Sequence, residues 1–458
     1  MINSIQPSDL AFAKYDDQDV ISAFNYFMTF MTPAQWQSKK QAIEEYLSKF
    51  YLNSPPLSQP VSEGLLMVTD KDRIGWYLYL MHCLIYEPHK YEYFQGARII
   101  PLFKRIGMDI DLLPTLEGLR KKISDLIKKR PIEADQVIFE LLVALAWKRN
   151  GYDVEFLAEG VTKTPDLLVK KNGKSYQVEC KRQQKSGAYF YEENKIRQKM
   201  VHHVAPFLLT NCLLMEVTFH VELKSLSETY LLDLFRSEQS KIRGENWTIS
   251  NEKLDIKASK IDLAMINHHL SQYHIKDKSP HLLELLAKKP IDYDGFTVCL
   301  HAAGYHIGEA LANNYYIGHI NNAFGVIVTC DAPQVYVEKA RDLKGLLYKA
   351  LEQLTLDCEG VVHIGMETFD GPNVESERLK KIYRTIESID PEKTDLSWIF
   401  THYFQSYSRS DENWIFDETV DVASAYVVPI TPLPKNFLII PDDADIIESS
   451  WHWERPLP

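Results

Sequence analysis

The sequence predicts a mixed α/β (α+β) fold, in which a helical N-terminal part is followed by regions that combine strands with helices. From about Asp9 to Ile127, apolar residues recur with helical spacing, as in residues 19–31, 33–52 and 75–86. Beyond residue 150, short runs rich in β-branched residues alternate with helical patterns, which is typical of α/β architecture.

Length and composition limit the class of protein. A chain of 458 residues is long enough for two to four domains with sizeable cores. None of the six cysteines forms a C-x-x-C pair, so we expect reduced thiols in the core and no zinc site. No apolar run approaches about 18 residues and no signal peptide follows Met1, which predicts a soluble, cytoplasmic protein without a membrane partner. The phosphate-binding loop of ATP-driven motors is also absent from the sequence.

The stretch TPDLLVKKNGKSYQVECKR, residues 164–182, predicts a β-hairpin with a defined register. Asn172-Gly173 favours a type I′ turn, because both central residues of that turn have positive φ. Residues whose numbers sum to 345 are then opposite each other, and Asp166 faces Glu179. Alternation of side chains separates a polar face, which includes Lys181, from an apolar core face. The core face consists of Leu167, Val169, Tyr176, Val178 and Cys180.

Two carboxylates opposite each other on paired strands repel, which is normally destabilising. A divalent cation removes this repulsion, and Mg²⁺ is usually held by one or two carboxylates together with several waters. Lys181 is close enough to orient a water or to balance the charge of a phosphate. Asp166, Glu179 and Lys181 therefore predict a site that hydrolyses phosphodiesters with Mg²⁺ or Mn²⁺.

Pro165-Asp166 followed by Glu179-Cys180-Lys181 resembles the signature of the PD-(D/E)XK phosphodiesterase superfamily, the restriction-endonuclease-like nucleases. The resemblance implies a core in the order helix, three strands, helix, strand (αβββαβ), which we expect over roughly residues 131–223. It also implies that Asp166 and Glu179 bind the metal, while Lys181 positions the attacking water or stabilises the transition state.

Glu140 is a further candidate for the site. It interrupts the apolar run of a helix that should extend from about Ile132 to Asn150 and stop at Gly151. A buried glutamate needs a partner, which is either a lysine or a helix N-terminus on one reading, or the metal on the other. Because the resemblance implies an acidic residue at the metal in this helix, we predict Glu140 as a third metal ligand.

The charge of the chain is unevenly distributed. The net charge is −12, but the segment from Arg120 to Lys199 contains 18 Lys or Arg against 11 Asp or Glu, a local balance of +7. A basic segment around the candidate site favours contact with a phosphate backbone, and a solvated surface with scattered lysines is the alternative. The predicted nucleic-acid contacts are Lys128, Lys129, Arg130, Arg182, Gln183 and Lys195.

These patterns divide the chain into a helical N-terminal domain (1–127), a nuclease core (128–225) and a C-terminal α/β region (226–458). In the last region we expect strands at 296–300, 324–330, 360–367, 398–404, 414–420 and 437–440, with helices at 337–354 and 374–389.

The predicted function is that of a metal-dependent endonuclease acting on DNA rather than RNA, in restriction or anti-phage defence by analogy with the superfamily. Such a protein can require a protein partner, an activating trigger or oligomerisation. One alternative is a non-catalytic nucleic-acid-binding or scaffolding protein that retains the nuclease fold. Another is an enzyme of a different class, with its site in the C-terminal region.

Overall fold

The computed structural model describes residues 15–52, 71–158, 164–183, 188–277, 279–288, 297–307, 316–340, 343–354, 358–390, 395–409, 412–424, 430–444, 446–447 and 450–454. Within these residues the chain forms thirteen α-helices and two six-stranded mixed sheets. The predicted mixed α/β class is confirmed.

In the described part of the chain up to Lys128, the N-terminal region forms five α-helices, as the apolar spacing predicts. They are α1 (Gln18–Met28), α2 (Pro33–Leu52), α3 (Arg73–Tyr86), α4 (Tyr93–Met108) and α5 (Leu119–Lys128). The carboxylates of Asp17 and Asp72 cap α1 and α3 by accepting hydrogen bonds from backbone N–H groups of the first turn. Aromatic residues join these helices, and the rings of Phe27 and Phe103 lie 5.2 Å apart at their centroids.

The first sheet combines three strands from the middle of the chain with three from its C-terminal part. Its order is β1 (Asp153–Phe156), β2 (Leu167–Lys171), β3 (Lys174–Arg182), β10 (Glu359–Glu367), β11 (Leu396–Tyr407) and β12 (Ile415–Ser424). The pairs β3–β10 and β10–β11 are parallel, and the other pairs are antiparallel.

The hairpin β2–β3 has the predicted register. Leu167 is opposite Val178 and Lys171 is opposite Lys174. Both turn residues have positive φ, +50° at Asn172 and +78° at Gly173, as a type I′ turn requires. All five residues predicted for the core face are buried.

Helices cover both faces of the first sheet. Helix α6 (Ala134–Arg149) ends before Gly151, which has the predicted left-handed conformation with φ of +82°. The apolar residues of α6, of the N-terminal helices and of the hairpin form one continuous core. On the opposite face, α12 (Leu343–Leu351) and α13 (Pro372–Glu387) pack against β10 and β11.

The second sheet is formed by residues that lie between β3 and β10 in the sequence. Its strands are β4 (Leu213–Phe219), β5 (Asn246–Ser250), β6 (Leu254–Lys260), β7 (Ile275–Lys276), β8 (Thr297–Ile307) and β9 (Tyr316–Cys330). Their order is β5-β6-β4-β9-β7, with β8 also paired to β9. The helices of this stretch are α7 (Ala188–Asn211), α8 (Tyr230–Ser237), α9 (Leu263–Leu270), α10 (Pro280–Ala287) and α11 (Pro333–Lys339).

The expectation that the strand near residue 215 completes the sheet of β1–β3 is wrong. This strand, β4, pairs with β6 and β9 in the second sheet, and the neighbour of β3 is β10. The alternating pattern of β4 fits any sheet with one covered face, so it cannot identify the partner strand. As a result, β10–β12 from the predicted C-terminal region join the sheet that begins in the predicted core.

Three smaller predictions also need correction. Pro206 lies inside α7 and does not end it, because Val204, Ala205 and Leu208 around it are buried and their packing outweighs the lost hydrogen bond. The helix expected at 337–354 is divided between α11 and α12. Residues 437–440 form no strand, since the N–H groups of Leu438 and Ile439 donate to the carboxylate of Glu418 at 2.8 Å.

The close packing of α6 on β10 generates a test of the strand order. A Cβ at Gly365 on β10 would lie 2.5 Å from the ring of Phe139 on α6. We expect Gly365→Ala to reduce the free energy of unfolding by about 1–3 kcal/mol through overpacking, measured by urea denaturation. The double variant with Phe139→Leu should recover part of this loss, because the smaller side chain makes room for the methyl group.

Gly345 on α12 is the matched control, since a Cβ there meets nothing within 4 Å. Gly345→Ala should raise stability by about 0.5–1 kcal/mol, as expected for a helix interior. Additive effects of the changes at 365 and 139 would contradict the contact and with it the placement of β10 over α6.

Candidate active site

The candidate site lies where β3 continues past Leu167, the first residue of β2. The last strand pair is Leu167 with Val178, and the N–H of Asp166 then donates to the carbonyl of Val178 at 3.1 Å. One step further, the carboxylate Oδ2 of Asp166 accepts a hydrogen bond from the N–H of Cys180 at 2.9 Å. The Asp166 side chain therefore accepts the next hydrogen bond along β3, in the place of a backbone carbonyl of β2.

Gln136 on α6 completes this ladder. Its Nε2 donates to the carbonyl of Cys180 at 2.8 Å, and its Oε1 accepts from the N–H of Arg182 at 3.1 Å. These contacts mimic one step of strand pairing, because a side-chain amide offers the same donor and acceptor as a peptide group. The backbone groups of β3 that β2 does not reach are thus hydrogen-bonded by the side chains of Asp166 and Gln136.

Glu179 lies on the central strand of this site, with β10 on its far side. It is opposite Val362, and its side chain is 0% exposed. One carboxylate oxygen, Oε1, forms an ion pair with the ammonium of Lys181. The other oxygen, Oε2, has no hydrogen-bond partner among the described residues. A buried carboxylate with an unsatisfied oxygen is costly unless a cation or donor joins it in the functional state.

Lys181 is held from two sides. Besides Glu179, its Nζ binds Oε1 of Gln353 at 2.6 Å. The amide of Gln353 also donates to the carbonyl of Thr164 at 3.3 Å, just before the Pro165-Asp166 pair. Gln353 follows α12, so the C-terminal part of the chain contributes a residue that covers the hairpin site.

Glu140 also lies close to Asp166 and Glu179. Its side chain is buried, and Oε1 accepts from Nε2 of Gln136 at 2.9 Å. Oε2 forms an ion pair with Nζ of Lys122, on α5, at 2.6 Å. This lysine is one of the partners that the sequence analysis considers for Glu140.

The three carboxyl groups share an unusual electrostatic environment. Burial, followed by the charge of Glu179, raises the pKa of Asp166 to about 7. Burial also raises the pKa of Glu179 to about 7, with Lys181 opposing the shift, and burial and Asp166 raise the pKa of Glu140 to about 7. Carboxyl groups perturbed by burial and by each other are frequent at functional sites. The neighbouring Cys180 thiol is no nucleophile, because burial raises its pKa well above the ordinary value.

The predicted nucleic-acid contacts are scattered. Lys128 and Lys129 are exposed, Lys129 lies 2.8 Å from Asp125, and Arg130 lies 3.3 Å from Glu133. These acidic partners reduce the positive charge that α5 presents at its end. Lys195 is exposed on α7, whereas Gln183 directly follows β3 and donates its N–H to Gly365 at 2.8 Å.

Arg182, also predicted to contact nucleic acid, instead has a side chain that is only 7% exposed. Its Nη2 donates to Glu367 at 3.0 Å, and its guanidinium lies 4.7 Å from the ring centroid of Phe404. Glu367 binds Arg98 of α4 as well, so Arg182 belongs to an ionic network between the N-terminal helices and the sheet. In this conformation a carboxylate and an aromatic ring hold the cation inside the protein, away from any phosphate.

Three residues of the site are not identified by the sequence patterns. Lys122 belongs to a basic cluster on a helix, Gln136 shares a helical stripe with Glu140, and Gln353 is distant in sequence from all the others. The stripe that joins Gln136 and Glu140 indicates that they point the same way, but only the fold shows what they contact.

A metal ion must fit the donors that are present. In the part of the chain that the structure describes, no three His, Cys, Asp or Glu side chains are arranged so that they could hold a metal ion. Two carboxylates suffice for Mg²⁺ when waters supply the remaining ligands. Asp166 and Glu179 fit this requirement, since the unsatisfied Oε2 of Glu179 is buried beside a second carboxylate. Glu140, the third predicted ligand, forms an ion pair with Lys122.

Comparisons of the chain with protein-family models, with curated proteins and with solved structures found no match. Among the described residues, no helix has the length and apolar character needed to cross a membrane. The assignment of function therefore depends on the geometry of the site.

The raised pKa values predict how stability depends on pH in the absence of metal. Each carboxyl has a higher pKa when folded, about 7, than in the unfolded chain, so the folded state binds more protons between about pH 4 and 7. These groups therefore stabilise the fold at low pH, and their contribution is lost as the pH rises through about 7. Asp166→Asn should weaken this loss, by up to about 1.4 kcal/mol per pH unit for one proton, in urea denaturation from pH 5 to 8.

Asp153→Asn is the matched control, because the side chain of Asp153 on β1 is 91% exposed. It should leave the pH profile of the metal-free protein unchanged. If Asp166→Asn also left the profile unchanged, Asp166 would not be part of a crowded group of buried carboxyls.

Proposed function

We propose that this protein is a divalent-metal-dependent nuclease whose active site consists of Asp166, Glu179 and Lys181, with Glu140 beside them. The observation that carries the proposal is the group of side chains beside Leu167, the first residue of β2. There, the buried carboxyl of Glu179 and the half-buried carboxyl of Asp166, both with raised pKa, adjoin a lysine whose ammonium contacts Glu179. Carboxyl groups whose pKa is perturbed by burial and by a neighbouring charge are frequent at functional sites, which supports the proposal.

The sheet order supports a restriction-endonuclease-like core that is interrupted by an insertion. Helix α6, the antiparallel strands β1–β3, helix α12 and the parallel strand β10 follow one another in the order that the superfamily resemblance implies. On this proposal, the second sheet and helices α7–α11 are inserted between β3 and α12. The site then occupies the same hairpin as the sequence motif, while its fourth strand comes from far along the chain.

In such a nuclease, Asp166 and Glu179 would hold Mg²⁺ or Mn²⁺, which when bound stabilises charge on the phosphoryl group and lowers the pKa of a water. Lys181 has two tasks that its position allows. Its ammonium can orient the attacking water, or offset the charge that develops on the phosphate oxygens. Gln353 keeps Lys181 in place at 2.6 Å, and Gln136 fixes the strand that carries Glu179 and Lys181.

A nucleic acid is the proposed substrate, with DNA preferred as in the superfamily that the motif resembles. The +7 charge of residues 120–199 supports this choice, since a chain of −12 would otherwise repel a phosphate backbone. Lys128, Lys129 and Lys195 are the exposed cations of that segment that we propose as backbone contacts.

A specific observation also favours the non-catalytic alternative. Lys181 and Lys122 already compensate Glu179 and Glu140, so the acids have partners without a metal. A protein that only binds nucleic acid could keep these ion pairs as structural contacts. Asp166 distinguishes the two functions, because among the described residues it forms no ion pair with a lysine and its pKa is raised.

The test of activity is hydrolysis of single-stranded and duplex DNA and RNA with Mg²⁺, Mn²⁺ or chelator. Lys181→Ala should reduce kcat by at least about 100-fold, because it removes stabilisation of the transition state. It should change nucleic-acid binding much less, because the lysine makes little ground-state contact. Lys174→Ala is the control, since Lys174 is an exposed lysine on the same strand.

Cleavage that requires a divalent cation and is lost in Lys181→Ala but kept in Lys174→Ala supports the proposal. Cleavage that survives simultaneous substitution of Asp166, Glu179 and Lys181 would place the chemistry elsewhere. Nucleic-acid binding without cleavage, unaffected by metal or by Asp166→Asn, would establish the non-catalytic function.

A further inference from the structure

The ion pair between Lys122 and Glu140 connects the N-terminal helices to the candidate site. Lys122 Nζ lies 2.6 Å from Glu140 Oε2, and the two side chains are 12% and 3% exposed. The Lys122 charge also reaches Asp166, whose pKa it lowers in opposition to burial. A cation from α5 therefore faces two of the three carboxylates that surround the proposed metal.

Local structure fixes the position of Lys122. Before α5, Glu117 pairs with Glu155 of β1, and its N–H donates to the carbonyl of Val154 at 3.1 Å. Gly118 follows with φ of +81°, and a Cβ there would lie 2.9 Å from the carbonyl oxygen of Phe156. The first turn of α5 is thus attached to the edge of the first sheet. Because its helix is attached to β1, Lys122 is a defined part of the site rather than an incidental surface contact.

We propose that Lys122 is the resident counter-ion of the candidate active site, and that it withholds Glu140 from a divalent cation until their ion pair opens. This inference rests on the proposed function, because it assumes that Asp166 and Glu179 bind the metal. It assigns a regulatory role to Lys122, because opening of its ion pair would release Glu140 as an additional ligand.

Two physical effects make the restraint strong. Glu140 is buried, so its carboxylate does not exchange one partner for another without a cation to replace Lys122. The ammonium also repels a divalent ion held by Asp166 and Glu179, and this repulsion is poorly screened in a buried site. Removal of the lysine charge therefore favours metal binding twice, once by relief of repulsion and once by release of a ligand.

The experiment is a titration of the full-length protein with Mn²⁺, followed by the electron paramagnetic resonance signal of the free ion. Lys122→Met should bind Mn²⁺ about tenfold more tightly than the wild type, a coupling typical of groups that share a partner. Lys122→Arg should behave as the wild type, because it restores the cation. Lys121→Met is the matched control on the same helix, since Lys121 is exposed.

The double variant Lys122→Met/Glu140→Gln separates the two effects. If Glu140 becomes a ligand, most of the gain in affinity disappears in the double variant. A gain retained in full there, or no gain in Lys122→Met while the wild type binds Mn²⁺ through Asp166, overturns this inference and leaves the proposed function intact. Absence of Mn²⁺ binding in the wild type and in every variant would overturn the proposed function itself. Lys122→Gln serves the same purpose if Lys122→Met does not fold.

Discussion

The candidate site depends on the unequal lengths of β2 and β3. Because β2 begins only at Leu167, the backbone of Cys180 and Arg182 on β3 has no partner strand on that side. The side chains of Asp166 and Gln136 supply the missing hydrogen bonds. This requirement fixes the Asp166 carboxylate beside Glu179 and brings α6, with Glu140, against the same edge. Fold stability and the proposed chemistry thus use the same hydrogen bonds.

The charges of the site are held in near balance. The buried carboxyls of Glu140 and Glu179 and the half-buried carboxyl of Asp166 have pKa values raised to about 7, and Lys122 and Lys181 oppose the shifts. Each lysine comes from a different part of the structure, one from α5 and one from β3 itself. Ion pairs of this kind contribute little net stability when buried. In the proposed function, they keep the carboxylates in place until a divalent cation binds.

The sequence predicts the local features well, because they depend on residues close together in the chain. Asn172-Gly173 determines the turn, and the turn determines which face Glu179 and Lys181 share. Gly151 likewise marks the end of α6. Each of these predictions needs only backbone preference and side-chain alternation.

The features that depend on distant contacts could not be predicted in this way. The alternating apolar pattern of β4 fits both sheets equally, and only tertiary packing places β10 beside β3. Lys122 and Gln353 look like ordinary polar residues on helices until the fold brings them to Glu140 and Lys181. Arg182 shows the converse, since a basic residue next to a catalytic motif suggests a phosphate contact although Glu367 holds it inside.

The most direct test of the central claim is the location of a bound Mn²⁺ ion by anomalous diffraction from crystals of the protein. We expect a single strong peak beside Leu167, the first residue of β2. Oxygens of Asp166 and Glu179 should lie about 2.1 Å from the ion, the distance expected for a small divalent ion with oxygen ligands. A peak that contacts neither residue, with the Lys181–Glu179 ion pair undisturbed, would contradict the account.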